Sequence, residues 1–163
     1  MADKPIYLAT VCLDPNRWGS RQPSFNVSDW LERVAADGFD GAEMWEYHFT
    51  RTDEDERARL MQMADHIPLY NTYAGFTSGP EDCQQRDAAA DAIEKLGCTG
   101  VKYNVGGDAE KTIEYREMLL TWDKQVPESC QLLCECHPGT VLEEPDAAAE
   151  FFEDLDPQRF GII

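Results

Sequence analysis

Apolar positions along the chain fall in short bursts, separated by polar stretches whose apolar residues recur at helical spacing. The burst Ile6–Leu13 is β-branched and aromatic and predicts a strand over 6–13. Ser28 offers an N-cap to a predicted helix over 29–37, with Leu31, Val34 and Ala35 on one face and Gly38 at its end. A second strand is predicted over 41–47 and a charged helix over 52–66, where Leu60, Met61 and Ala64 share a side. The third strand spans 67–74. Gly79-Pro80 then breaks the chain before a helix over 81–96, whose stripe is Ala88, Ala89, Ala92, Ile93 and Leu96. A fourth strand over 100–105 leads to a helix over 109–125, with Pro127 just beyond it. The fifth strand covers 131–137, a helix follows over 145–155, and a sixth strand begins at 160–163.

This alternation repeats at roughly 30 residues and requires a parallel α/β architecture. An open doubly wound sheet and a closed barrel both fit the rhythm. The segment after the first strand, Leu13-Asp14-Pro15-Asn16-Arg17-Trp18, lacks the glycine fingerprint of a nucleotide-binding sheet. Gly106-Gly107 after the fourth strand has no phosphate motif around it. The barrel is therefore expected. A complete one has eight units and about 250 residues, whereas residues 1–163 supply five and the start of a sixth. The expectation is one partial barrel domain, from a longer parent or a truncated product. The outer edges of strands one and six are exposed in such a piece and invite aggregation.

Hydrophobic residues make up 42% of the chain, enough for a core and too many for a disordered polypeptide. The formal charge of -18, from 32 acidic and 14 basic residues, repels phosphate backbones and argues against a nucleic-acid partner. The basic residues include few lysines, a pattern that fits either a salt-adapted habitat or an ordinary acidic cytosolic enzyme. No apolar run is long enough for a membrane span and no secretory leader is visible, so the expected compartment is the cytoplasm, with no membrane partner. In that setting the six cysteines are expected to be reduced, several of them buried.

Candidate chemistry concentrates near the C-terminal ends of the strands. In Leu132–Thr140, alternation puts Glu135 and His137 on one face and Cys134 and Cys136 on the other. A carboxylate is costly in a helix-packed layer, so Glu135 and His137 are expected to point into the barrel. Glu135 is then a metal ligand or acid/base, or else a structural carboxylate paired with a cation; the residues alone leave both open. A zinc cluster at Cys134, Cys136 and His137 is disfavoured, because adjacent strand residues diverge and no second closely spaced pair completes a site. Glu43 is expected to face the polar interior. His48 stands at the mouth, as a substrate ligand or a surface histidine. Lys102 and Asn104 share a face and, turned inward, put a cation and an amide near Glu135. Tyr70, Asn71 and Tyr73 line a pocket or pack.

Three segments carry a family resemblance. Gly38–His48 (GFDGAEMWEYH), Ala92–Lys102 (AIEKLGCTGVK) and Leu132–Thr140 (LLCECHPGT) resemble, in the same order, the second strand, the helix-to-strand-four step and the fifth strand of xylose-isomerase-like sugar phosphate isomerases/epimerases. The resemblance implies a TIM barrel of that type and a divalent metal, Mn²⁺, Mg²⁺ or Zn²⁺, held from strands five to eight. Only the strand-five ligand, Glu135, falls within this sequence. It also implies proton transfer beside a carbonyl through an enediolate, with Glu135 as ligand and acid/base and His137 as a second catalytic group. Lys102, His48, Glu43 and Asn104 would bind a sugar or polyol. A related DNA-cleaving branch uses many histidines and a basic surface, and three histidines at a charge of -18 argue against it. The competing expectation is a non-catalytic barrel fragment or small-molecule-binding domain. Self-association into a homo-oligomer is open on either reading.

Overall fold

A computed structural model describes residues 4–163. Six strands, β1 (Tyr7–Ala9), β2 (Gly41–Trp45), β3 (Leu69–Asn71), β4 (Gly100–Tyr103), β5 (Gln131–Cys134) and β6 (Phe160–Ile162), form one sheet in the order β1-β2-β3-β4-β5-β6. All neighbours are parallel. The helices between them are α1 (Leu31–Ala36), the short α2 (Tyr47–Thr50), α3 (Glu54–Gln62), α4 (Pro80–Leu96), α5 (Thr112–Asp123) and α6 (Pro145–Phe151). The protein is thus an α/β fold with a parallel six-stranded sheet.

The strands are shorter than the apolar bursts. Beyond Ala9 the chain turns into a 3-10 segment, Thr10–Leu13, and beyond Trp45 it enters α2. Both departures are fixed by side chains: Thr10 Oγ1 accepts from the Trp45 N–H at 2.9 Å and also meets His48. Ser28 does not cap α1. It lies in a 3-10 turn, where its N–H and hydroxyl both donate to the buried carboxylate of Glu56. In α4 local rules and structure agree: Pro80 opens the first turn beside Glu81 and Asp82, and Gly97, at φ 62°, closes the helix in the left-handed conformation. Its buried stripe takes Ala90 in place of Ala88, which is exposed.

Register assigns the two faces of the sheet. Ala42, Met44, Tyr70, Val101, Tyr103, Leu132, Cys134 and Phe160 all enter one buried cluster with Leu31, Leu60, Ile93, Leu119, Trp122 and Phe151 from the helices. The helices therefore pack on one side only. The other face carries Glu43, Asn71, Lys102 and Leu133, aligned by the pairs Trp45↔Asn71, Asn71↔Lys102 and Lys102↔Leu133. Gly41 permits the close approach of the β2 start to the next loop, since a Cβ there would stand 2.6 Å from Pro68 Cδ. The cysteines are free, with Cys98, Cys130 and Cys134 buried. No described helix is long and apolar enough to cross a membrane.

Candidate functional site

Period-two alternation lifts Glu43, Asn71 and Lys102 out of the apolar layer onto the face away from the helices. There they meet. Lys102 Nζ lies 2.8 Å from Glu43 Oε1 and 3.8 Å from Glu135 Oε2. Asn71 Nδ2 donates to Glu43 Oε1 at 2.7 Å. Asn104 Nδ2 donates to the Glu135 backbone carbonyl at 2.9 Å and reaches its carboxylate at 3.4 Å. The result is a carboxylate–ammonium–carboxylate row across β2, β4 and the end of β5, with one amide behind each carboxylate. The Lys102 and Glu43 side chains are mostly buried, whereas Glu135 is 40% exposed. Burial alone would lower the Lys102 pKa. The hydrogen bond and charge of Glu43, with the charge of Glu135, outweigh it and raise the pKa above the ordinary lysine value. Lys102 is a fixed cation.

The other expected residues lie apart from this row. His48 is not at the mouth: it is 1% exposed. Its Nε2–H donates to Asp14 Oδ2 at 3.0 Å, and its Nδ1 stands 3.0 Å from the Thr10 hydroxyl. The ionised Asp14 carboxylate can only accept, so the neutral ring carries its hydrogen on Nε2 and its Nδ1 accepts from the Thr10 hydroxyl. Burial lowers the His48 pKa more than the neighbouring carboxylates raise it. Asp14 in turn accepts from the Asn16 and Ser24 backbone N–H groups. The histidine pins the β1–α1 loop and offers no face to a ligand. His137 is exposed and turns its Nδ1 to the Pro138 carbonyl at 2.7 Å. Tyr70 is fully buried on the helix side.

A second cluster stands beside the row and escaped the sequence analysis in part. Tyr73, two residues past Asn71, lies parallel to Tyr47 with ring centroids 6.4 Å apart. Arg21, from the β1–α1 loop, donates to the Tyr47 hydroxyl at 3.1 Å. Burial raises the Tyr73 pKa, and the charges of Lys102, Glu135, Glu46 and Arg21 all act on it, so Tyr73 is a neighbour of the row. Arg21 sits in an irregular loop with no periodicity, and no pattern in the sequence marks it.

A divalent metal was expected. Among the described residues no group of three or more His, Cys, Asp and Glu side chains converges to hold one. The two carboxylates that face each other, Glu43 and Glu135, hold Lys102 between them. This donor set does not fit a metal centre, and no chemistry is routed through one. The larger grooves, about 620 Å³ beside α5 and α6 and about 650 Å³ around Arg159, include none of the row. The row itself stands on an open sheet face.

No family model and no curated protein matches the chain. Among solved structures it is similar to the apo form of YcjR, a 3-keto-D-glucoside 4-epimerase from E. coli. The TM-score is 0.66 at 12% identity, over 98% of this chain and 67% of that one. The likeness is one of fold. These findings correct the family expectation: the motifs in strands two, four and five do not place the chain among the xylose-isomerase-like isomerases, since no family model finds them and the similar structure is described as a keto-glucoside epimerase. Short strand-end motifs of this kind follow from packing and turn requirements that many parallel α/β folds share.

Proposed function

We propose that the chain carries the acid/base side of a sugar or polyol isomerase/epimerase that works by proton transfer beside a carbonyl. The observation that carries this is Lys102 between Glu43 and Glu135 on the helix-free face of the sheet. A carbonyl makes the neighbouring C–H acidic. Glu135, the most exposed member, removes that proton, and the Lys102 ammonium stabilises the enediolate oxygen as charge develops. Returning the proton to the opposite face inverts the carbon; returning it to the adjacent carbon isomerises the sugar. Asn104 orients Glu135, Glu43 holds Lys102, and the exposed His137, two residues past Glu135, is a candidate for a second proton carrier. The name of the similar structure, a 3-keto-D-glucoside 4-epimerase, supports a keto-sugar as substrate class.

The barrel belongs to the same proposal. Sequential order in an all-parallel sheet leaves every helix on one side. Parallel sheets are normally covered on both faces, and closure into a (β/α)₈ barrel is the arrangement that covers the second face with its own strands. A cytoplasmic setting fits the reading without carrying it. The second reading, a binding domain without catalysis, is supported by Lys102 being already paired on two sides.

The test is deuterium wash-in. A 3-keto-glucoside incubated with the protein in D₂O should gain deuterium at the carbon beside the ketone, and the Glu135→Gln variant should lose this by about 100-fold or more. Binding without wash-in in the wild type would leave the binding-domain reading.

A further inference from the structure

We propose that Tyr73 is the stacking platform for the sugar and that the ligand is ring-closed, a pyranose whose C–H face lies on the Tyr73 ring while Arg21 donates to its hydroxyl groups. The proposal rests on the sugar reading above and narrows it to cyclic substrates.

Tyr73 is placed for this by the sheet. The Thr72 N–H donates to the Lys102 carbonyl at 2.9 Å, which carries the β3–β4 ladder one residue past the strand and delivers Tyr73 to the end that holds Lys102 and Glu135. Tyr73 is 37% exposed, whereas Tyr70 of β3 is fully buried. One side is supported: Tyr47 lies parallel, with an interplanar angle of 6°. Arg21 lies over both rings, its Cζ 5.7 Å from the Tyr47 centroid and 5.9 Å from that of Tyr73. Arg51 covers Tyr47 at 4.1 Å and donates to the Ser20 and Arg21 carbonyls, which holds the loop in place. Arg21 itself adopts φ 55°, a costly conformation for a side-chain-bearing residue, stabilised by its N–H bond to the Asn16 carbonyl.

Arg21 forms no salt bridge among the described residues, in a chain with 32 acidic and 14 basic residues. Its donors beyond the Tyr47 hydroxyl are therefore free for a ligand. The chemistry matches a pyranose. An aromatic face is electron-rich, and the axial C–H bonds of a ring-closed sugar present a flat, weakly positive surface to it. An open-chain polyol has no such surface. The hydroxyl groups at the ring edge would meet Arg21 on one side and Lys102 on the other.

The test is titration calorimetry with methyl β-D-glucopyranoside and with sorbitol, on the wild type and on Tyr73→Phe, Tyr73→Ala and Arg21→Ala variants that melt like the wild type. The glucoside should bind more tightly than sorbitol. Tyr73→Phe should keep its affinity within about twofold, Tyr73→Ala should weaken it about tenfold, and Arg21→Ala about fivefold. Equal glucoside affinity in wild type and Tyr73→Ala, or sorbitol binding as tightly as the glucoside, overturns the proposal. If deuterium wash-in persists in that case, the platform alone has failed. If the wild type binds neither ligand and exchanges no deuterium, the sugar reading has failed with it.

Discussion

Lys102 Nζ is 2.8 Å from Glu43 Oε1, and the two residues come from strands that are not neighbours: β3 runs between β2 and β4, and its Asn71 donates to the same carboxylate oxygen. A lysine reaching across an intervening strand is an ordered feature, and it fixes the cation of the candidate site.

Replacing Lys102 with Met leaves Glu43 mostly buried with Asn71 as its remaining donor. The variant should lose about 1–3 kcal/mol in urea unfolding, and the Glu43→Gln/Lys102→Met pair should lose less than the sum of the single changes. The raised Lys102 pKa sets the pH range. Stability from a raised lysine is fully present below its ordinary value of 10.5 and is lost only as pH rises through the folded value. The cost of Lys102→Met should therefore be equal at pH 6 and pH 9. A cost that vanishes at either pH would show that the ion pair is not what Lys102 contributes.

His48 and Asp14 predict acid sensitivity. Burial depresses the His48 pKa, so the unfolded chain takes up a proton at pH values where the folded chain does not. Its contribution is complete above its ordinary value of 6.5 and is lost as pH falls toward the folded value. Asp14 acts in the same direction at lower pH: burial raises its pKa, but bonds from the Ser24 and Asn16 N–H groups and His48 lower it further. Melting temperature should fall from pH 7 to pH 5. His48→Ala should cost about 2–4 kcal/mol by stranding Asp14, and most of the acid slope should disappear with it. An unchanged slope in the variant would place the acid sensitivity elsewhere.

Metal affinity follows from the donor set. Glu135 alone replaces few water molecules around a divalent ion, whereas catalytic sites of this kind use about three protein ligands. Calorimetry with Mn²⁺ on this chain should show weak binding, in the millimolar range. Tight stoichiometric binding that survives Glu135→Gln would reveal ligands that the described residues do not bring together.

The charge of -18 should make stability salt-dependent. Self-repulsion among carboxylates is screened as the Debye length falls from about 30 Å at 0.01 M to about 3 Å at 1 M salt. The melting temperature should rise by about 5 °C or more between 10 mM and 1 M KCl. A flat response would mean that counter-ions or local pairing already neutralise the surface.

The sequence by itself determined the six strands, the longer helices between them and their parallel arrangement, though not the short α2, because a period of two or of 3.6 and the caps at Gly97 and Pro80 are local properties of the chain. Alternation and the cost of burying charge, which act residue by residue, also led to the expectation that Glu43 and Glu135 leave the apolar layer, while Lys102 and Asn104 could face either way. Only the tertiary structure decided how these groups meet. The pairing of Lys102 with Glu43 depends on the register of three strands. The burial of His48 depends on Asp14 and Thr10, 34 and 38 residues away in sequence. The partnership of Arg21 with Tyr47 and Tyr73 joins an irregular loop to two strand ends. Such contacts have no periodicity to read: they are set by loop closure and side-chain packing, whose energies exist only once the sheet has formed.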